Sequence, residues 1–241
     1  MNRIIVLVIV LISSFSLFAQ EPGQALGLRF GMQLTPTVSW LSSDEVDLVD
    51  SKGVKLGYSF GVVGDWFFKE NYALATGLFV NSYGAKMTYS EGMRLNTKNY
   101  GQRVVAGDFA LNPLYLEIPL GFKFLTKQYW RKRFYGQVGY NQFFLLDATM
   151  RTNEVLYEMS GIIENGIIEL DKKNIRDEFA KAMYGFHFGF GTEISLGGNT
   201  YITAGVLAMF GMNDITKSTS IAGIDPVNKT RALNFKLGLL F

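Results

Sequence analysis

The sequence predicts an all-β protein: a transmembrane, up-and-down antiparallel β-barrel of eight strands, with short periplasmic turns and four long external loops. Three observations predict it, namely an N-terminal export signal, apolar residues that alternate with small or polar ones, and connections that alternate between short and long. The chain has 241 residues, of which 48% are hydrophobic and 15% aromatic. This composition is too apolar for a disordered chain, so a large surface is buried in a core or immersed in lipid.

Residues 1–19 have the pattern of a secretory signal peptide. Arg3 precedes an apolar run over residues 4–12, and the small residue Ala19 ends the segment. The run is shorter than the roughly 20 residues that a membrane-spanning helix needs. We therefore expect cleavage near Ala19 and Gln20, followed by one outer-membrane barrel domain over residues 20–241.

Composition excludes several classes of function. Cysteine is absent, so the chain has no disulfide, no thiolate nucleophile and no cysteine for lipid attachment. The net charge of +2 is nearly balanced, and no stripe of Lys and Arg interleaved with aromatics occurs, so we expect no nucleic-acid partner. No long apolar run follows the signal segment, so membrane attachment has to come from strands.

Alternation with a period of two residues is the main signal for strands. It is clearest over residues 114–125, where Leu116, Ile118 and Leu120 alternate with Glu117 and Gly121 on the opposite face. Eight stretches of this kind are long enough to cross a membrane when tilted. They are residues 26–41, 54–68, 72–88, 114–125, 134–149, 183–197, 200–212 and 230–241.

The connections between these stretches alternate in length. Short links fall at residues 69–71, 126–133 and 197–199, and long links at 42–53, 89–113, 150–182 and 213–229. Outer-membrane barrels have short periplasmic turns and longer external loops, so this order predicts which end faces outward.

A soluble barrel or sandwich would also alternate, so the chemistry of the two faces decides between them. The presumed inner faces are rich in Gly, Ser, Thr and Asn, and the other faces carry many large aromatics, which favours lipid outside. Aromatics also fall where interfacial girdles are expected, at Trp40, Trp66, Phe68, Tyr72, Tyr129 and Trp130. We therefore expect outer-membrane lipids as the surroundings and the bacterial outer membrane as the location.

The last strand is typical of substrates of the barrel assembly machinery, which we expect as a partner. Its apolar face carries the residues of a C-terminal assembly signal, Phe235, Leu237, Leu239 and Phe241. Closure of a barrel pairs this strand with the first one.

The stretch over residues 114–124, Leu-Tyr-Leu-Glu-Ile-Pro-Leu-Gly-Phe-Lys-Phe, resembles the "YLEIPL-x-x-K" strand of the PorT-like outer-membrane β-barrel proteins of the Bacteroidota. The basic turn over 127–133 and the strand over 134–140 are similar to that family's next hairpin, and the signal end at 18–20 is typical of those bacteria. The resemblance implies an eight-stranded barrel of the OmpA/OmpX-like, porin-like kind. The family's namesake is required for type IX secretion, and many members have no assigned role, so fold kinship alone transfers no activity.

Ionisable residues on the inner faces are the candidate site, because a charge at membrane depth has to be paired or hydrated. We expect a lumenal charge network, with Arg29, Asp65, Lys123, Glu193 and Lys236 toward the periplasmic half; Lys55 also faces inward. The network residues are Arg29, Asp65, Glu117, Lys123, His187, Glu193 and Lys236. A gated pore or proton path is the alternative, which we disfavour because eight strands enclose room only for side chains.

Catalysis and metal binding have little support. His187 is the single histidine, so a triad with Ser59 or Ser39 would depend on it, and no spacing selects either serine. The acidic loop over residues 42–50 lacks the glycine and terminal glutamate of an EF-hand. We predict no catalytic residues, no cofactor and no metal site.

The sequence thus predicts a non-enzymatic barrel that is a structural or interaction protein, an accessory of an envelope or type IX secretion assembly. A protein partner is expected to bind through the external loops 89–113 and 150–182, because long ordered loops commonly carry binding surfaces. Within the loop over residues 150–182, residues 174–181 are expected to form a short helix or to extend the barrel above the membrane. The alternatives are a lipid-modifying enzyme centred on His187 and a narrow small-solute pore.

Overall fold

A computed structural model describes residues 27–43, 49–50, 53–97, 101–159, 162–166, 170–174, 176, 179–215 and 228–241. The signal peptide predicted at 1–19 lies outside these residues, as does most of the acidic loop. Twelve strands lie in the described part. They are β1 (Gly27–Ser43), β2 (Val49–Asp50), β3 (Lys55–Lys69), β4 (Tyr72–Ser82), β5 (Ala85–Thr97), β6 (Gly101–Leu125), β7 (Lys132–Met159), β8 (Ile162–Gly166), β9 (Leu170–Asn174), β10 (Ala182–Gly197), β11 (Thr200–Gly211) and β12 (Asn228–Leu240).

Eight of these strands close into the predicted antiparallel barrel. Around the wall their order is β1, β3, β4, β6, β7, β10, β11 and β12, and β12 pairs again with β1. At the closing seam the backbone N–H of Phe30 donates to the Phe241 carbonyl at 3.0 Å, and the Phe241 N–H donates to the Phe30 carbonyl at 2.8 Å. The eight-stranded barrel that the alternation predicted is confirmed.

The stagger of the strands fixes the width of the barrel. A path of paired residues that starts at Arg29 and follows the ladders once around the wall returns to β1 at Ser39, ten residues further along. With ordinary spacings between strands and between residues, this stagger corresponds to strands tilted by about 40° from the barrel axis. A barrel of eight strands at this tilt has an interior that side chains fill.

The two faces of the wall differ as the sequence predicts. On β6, Glu117 and Lys123 are buried in the lumen, whereas Ile118, Leu120 and Phe122 are 40%, 51% and 53% exposed on the outside. The same alternation holds around the barrel, so the outer surface is a continuous apolar band. Such a band is stable in lipid and would be costly in water.

Aromatic side chains lie at the periplasmic end of this band. Trp66, Phe68 and Tyr72 are exposed beside the β3–β4 turn, and the ring of Tyr72 meets the edge of Phe124 at 5.9 Å. The tip of the β6–β7 turn presents Trp130, which is 85% exposed. These positions fit the interfacial girdle that the sequence predicted.

The connections predicted as loops 89–113 and 150–182 contain strands. β5 follows β4 after an interruption at Tyr83 and Gly84, and both strands pair with β6. β6 and β7 run 25 and 28 residues and remain paired with each other as far as Val105 and Tyr157. The strands inside these external connections are not predicted by the alternation, because their ladder joins segments that are distant in sequence.

Shorter strands flank this extension of the barrel. β8 and β9 both pair with β7, and β2 pairs with β5. We call β2, β5, β8, β9 and the parts of β6 and β7 that pair with them the outer sheet. Within residues 174–181, the described positions hold the end of β9 and Phe179, which packs over the lumen. No helix in the described part of the chain is long and apolar enough to cross a membrane.

Candidate functional site

A group of charged side chains lies at the periplasmic end of the lumen, and we call it the periplasmic ion cluster. Glu193, which is completely buried, faces Arg133 across the β10–β7 ladder. Lys123 Nζ lies 2.5 Å from Glu193 Oε1 and 2.6 Å from Asp65 Oδ2. Arg133 Nε donates to Glu193 Oε2 at 2.7 Å, and Arg29 Nη1 lies 3.8 Å from the same oxygen. Two carboxylates thus serve three cations.

Aromatic rings complete the surroundings of the two arginines. The guanidinium carbon of Arg29 lies 4.4 Å from the ring centre of Phe67 and 4.5 Å from that of Tyr201. The corresponding distances for Arg133 are 5.4 Å and 4.7 Å. Because a ring face attracts a cation, these contacts offset part of the cost of holding the surplus positive charge.

A second polar group spans the middle of the lumen, and we call it the central chain. Lys236 Nζ donates to Gln137 Oε1 at 3.1 Å, and Gln137 Nε2 lies 3.2 Å from His187 Nε2. His187 Nδ1 bonds to Asn141 Oδ1, and Asn141 Nδ2 donates to Glu117 Oε1. Since the amide nitrogen of Gln137 can only donate, His187 accepts at Nε2 and carries its proton on Nδ1. The chain therefore runs in one direction, from an ammonium to a carboxylate.

The partners of His187 bear on the possibility of catalysis. Both of its ring nitrogens are engaged by amides, and the residue is 1% exposed. Ser39 Oγ donates to the Gly84 carbonyl at 2.6 Å, and in the described part of the chain neither Ser39 nor Ser59 bonds to the histidine. This geometry gives His187 no hydroxyl to activate.

Large apolar side chains close the outer end of the lumen, and we call them the apolar plug. Phe143 meets the edges of Tyr83 and Tyr115, with ring centres 5.7 Å and 6.1 Å away. Phe179 and Ile215 come from the external connections, where the Ala180 N–H donates to the Ile215 carbonyl at 2.8 Å. The buried members are Leu41, Tyr83, Ala85, Leu111, Tyr115, Phe143, Leu145, Ala148, Phe179, Met183, Met209, Ile215 and Ala232.

A cavity of about 40 Å³ lies in the middle of the lumen. Its polar walls include Glu117, His187 and Lys236 from the central chain, together with Ser59 and Asn234. The volume corresponds to about three water molecules. We call it the central cavity.

The structure divides the predicted charge network into two groups. The periplasmic ion cluster takes Arg29, Asp65, Lys123 and Glu193, and the central chain takes Glu117, His187 and Lys236. Lys236, expected with the periplasmic charges, instead bonds to Gln137. Lys55 lies apart from both groups, where its Nζ donates to the Leu111 carbonyl at 3.2 Å.

Arg133 is the charged residue of the site that the sequence analysis missed, together with the amides of Gln137 and Asn141. Arg133 was assigned to the turn over 126–133, whereas β7 begins at Lys132 and points Arg133 inward. The sequence did contain a signal for Arg133. It lies two residues before Tyr135 and four before Gln137, so all three side chains fall on the same face of the strand.

Comparison with protein families then decides the identity of the fold. Residues 18–217 match the family described as outer membrane protein beta-barrel domain. The chain belongs to this family. Its barrel is therefore a bacterial outer-membrane barrel, and the apolar band is its lipid-facing surface.

Several solved structures are similar at low identity. Neisserial surface protein A matches with 10% identity and a TM-score of 0.41, covering 88% of this chain and 95% of that one. The attachment invasion locus protein of Yersinia pestis, Ail, matches with 14% identity and a TM-score of 0.36, covering 90% and 100%. OprG from Pseudomonas aeruginosa matches with 13% identity and a TM-score of 0.44, covering 90% and 96%. These values are too low to carry an inference about function. A comparison with curated proteins found no match.

Proposed function

We propose that this protein is a non-enzymatic outer-membrane barrel that acts as an interaction protein through its outer sheet. The observation that carries the proposal is the length of β6 and β7, which run 25 and 28 residues and bear further strands beyond the barrel. A strand needs only about 9–11 residues to cross the membrane. The additional length therefore serves a purpose outside the bilayer.

The side chains that fill the lumen also support the proposed interaction role. The apolar plug, the central chain and the periplasmic ion cluster occupy successive levels of the barrel interior. A lumen filled in this way suits a rigid support better than a passage.

The edges of the outer sheet suggest how a partner binds. Within the described residues, β8 ends the strand order on one side, and on the other side β5 pairs only with β6 beyond Tyr89. Edge strands offer unpaired backbone groups, to which an extended segment of another protein can add as a further strand. We propose a protein partner that docks in this way on the segments 89–113 and 150–182.

The resemblance to the PorT-like proteins suggests where such a partner belongs. An accessory of an envelope assembly, such as the type IX secretion system, is the role that we propose. We also propose that the barrel assembly machinery recognises the apolar outer face formed by Phe235, Leu237, Leu239 and Phe241.

Affinity purification from outer membranes of the source bacterium tests the proposed function. In one variant, residues 92–106 are replaced by a short Asn-Gly linker, which removes the distal part of the β5–β6 hairpin. A matched control replaces residues 217–226 with the same linker. A heat-modifiability gel shows whether each barrel is folded, because a closed barrel stays folded in SDS until it is boiled.

We expect a partner that co-purifies with the full chain and with the control, and that is lost from the hairpin variant. Retention of the partner by the folded hairpin variant would contradict the proposed docking surface. Absence of any partner from the full chain in crosslinked membranes would contradict the interaction role itself.

A further inference from the structure

The periplasmic turn between β6 and β7 carries a group of exposed cations. Lys127, Arg131 and Lys132 are all exposed, and the sequence over residues 126–132 contains no carboxylate. In the described part of the chain, none of these three side chains forms an ion pair. Three positive charges therefore face the surroundings of the barrel without a counter-ion from the described residues.

Hydrogen bonds close this turn and fasten it to the neighbouring strand. The Tyr129 N–H donates to the Lys132 carbonyl at 2.9 Å, and the Lys132 N–H donates to the Tyr129 carbonyl at 3.0 Å. In β10, the Ser195 N–H donates to the Arg131 carbonyl at 2.7 Å, and Arg131 Nε donates to the Ser195 carbonyl at 2.9 Å. The cations are thus presented from an ordered tip that is attached to the wall.

Trp130 lies at the tip in a backbone conformation that a bulky residue rarely adopts. Its φ is 58°, and it is the one described residue other than glycine with a positive φ. In a tight hairpin turn, a positive φ at this position is usually supplied by glycine. The side chain is 85% exposed and contacts the equally exposed ring of Tyr129, so burial does not offset the strain. A strained and exposed aromatic residue indicates a function at this tip.

The position of the turn in the bilayer indicates what it contacts. Phe124 and Phe134 are 47% and 63% exposed on the lipid-facing wall beside the turn. Lys132 shares the outer face of β7 with Phe134 and lies two residues nearer the periplasm, which is about 5 Å along the barrel axis. The headgroup layer of a bilayer is roughly 5–7 Å thick on each side, so Lys132 lies at the level of the headgroups.

The chemistry of the turn matches an anionic phospholipid. Lysine and arginine attract acidic headgroups, and the rings of tryptophan and tyrosine favour the interfacial layer. In the neighbouring β3–β4 turn, Lys69 lies beside Glu70, so the charges there balance. The attraction for anions is therefore local to the β6–β7 turn. A lipid is favoured over a soluble partner, because headgroups surround this turn wherever the barrel is inserted.

We propose that the β6–β7 turn binds an anionic phospholipid of the periplasmic leaflet, with Lys127, Arg131 and Lys132 attracting the headgroup phosphate and Trp130 lying in the interface. Such a site anchors the periplasmic end of the barrel at a fixed depth. It lies at the opposite end of the barrel from the outer sheet, and it is independent of the partner proposed to bind there.

Native mass spectrometry of the full barrel tests this site, after release from nanodiscs of equal parts phosphatidylglycerol and phosphatidylcholine with matched acyl chains. We expect the native protein to retain phosphatidylglycerol in preference. The double variant Lys127→Gln and Lys132→Gln should lower the ratio of retained phosphatidylglycerol to phosphatidylcholine by about tenfold or more, because each cation near the headgroups adds to the attraction.

The matched control is the double variant Lys86→Gln and Lys181→Gln. It removes the same charge from exposed positions at the outer end of the barrel, so the lipid ratio should remain that of the native protein. Each variant is first shown to be folded by its heat-modifiability.

Trp130→Asn separates a lipid contact from a structural role. Asparagine adopts a positive φ more readily, so guanidinium titration should find this variant at least as stable as the native barrel. It should nevertheless retain less phosphatidylglycerol. The proposal is overturned if the native protein retains the two lipids equally, or if either the lysine variant or Trp130→Asn keeps the native ratio. An unchanged ratio in the lysine variant would assign these cations to a soluble periplasmic partner instead.

Discussion

At the scale of single residues, Glu193 holds the periplasmic end of the lumen together, because Lys123, Arg133 and Arg29 all converge on its two oxygens. Replacement by Gln leaves these cations with one carboxylate, Asp65. Loss of one member of a buried ion group typically costs about 3–5 kcal/mol. We expect Glu193→Gln to lower the free energy of unfolding by an amount of that order, measured by guanidinium titration in lipid vesicles.

Glu70→Gln is the matched control for this prediction, since Glu70 is an exposed carboxylate in the β3–β4 turn at the same end of the barrel. It should unfold at the denaturant concentration of the native protein. Equal stabilities of the two variants would show that the periplasmic ion cluster contributes nothing to the fold.

The backbones of β6 and β7 approach each other closely beside His187, and a second prediction for single residues follows from this contact. A Cβ added at Gly139 would lie 2.5 Å from the Gly121 Cα and 2.7 Å from His187 Cε1, whereas one at Gly136 would meet nothing within 4 Å. Both glycines are in β7. Gly139→Ala should therefore destabilise the barrel by about 1–3 kcal/mol, and Gly136→Ala should not. The same titration compares them, and an unaffected Gly139→Ala would show that the lumen is loosely packed.

His187 also allows a test of the proposed absence of catalysis. With both ring nitrogens on amides, His187→Ala should leave lipid A and phospholipids unchanged in mass spectra of outer membranes. His187→Gln, which retains polar groups, serves as the control for stability. Loss of a modified lipid species in both variants would establish a lipid-modifying enzyme instead.

The alternation of residues along each strand predicted which side chains face the lumen, but not how those side chains group. The alternation placed Arg29, Asp65 and Lys123 inward, because a period of two is set by the strand itself. The separation of Lys236 from them depends on the ten-residue stagger, which arises only when eight strands close. Arg133 was missed because the start of β7 was misjudged by two residues, since element boundaries are weakly encoded.

At the scale of elements, we predict that the cost of placing a charge on the outer face of a strand depends on how deep that position lies in the membrane. Val62 and Phe68 both point outward from β3 and are 52% and 44% exposed, the first near mid-strand and the second beside the periplasmic turn. Val62→Arg should cost about 2–4 kcal/mol and Phe68→Arg about 0–1 kcal/mol. Reversible folding into vesicles measures both, and equal costs would contradict the assigned membrane position of β3.

The elements that sequence alone did not predict are those built from contacts between connections. The ladder between the outer parts of β6 and β7 pairs residues some fifty positions apart, such as Val105 and Tyr157, and no local pattern reports such a pairing. The apolar plug was missed for a related reason. Phe179 and Ile215 reach the lumen from separate connections, and their burial depends on the closed wall beneath them.

At the scale of the whole molecule, the barrel is a lipid-immersed wall around a filled interior. Charged side chains fill the periplasmic end, amides and His187 the middle, and apolar rings the outer end. Ion pairs, hydrogen bonds and ring contacts hold these levels in place, so the interior adds rigidity to the wall. The proposed role follows from this arrangement, because the surfaces left for binding are the outer sheet and the surfaces that contact lipid.

A filled lumen is the central claim, and recording from single barrels in planar lipid bilayers tests it most directly. The protein is inserted in its native form at high salt, beside a channel-forming barrel as a positive control. We predict no conductance steps from the native protein over hours of recording at either polarity. Stable open-state steps from the native protein, with a conductance that changes on substitution at Phe143 or Lys123, would contradict the claim and would make the barrel a pore.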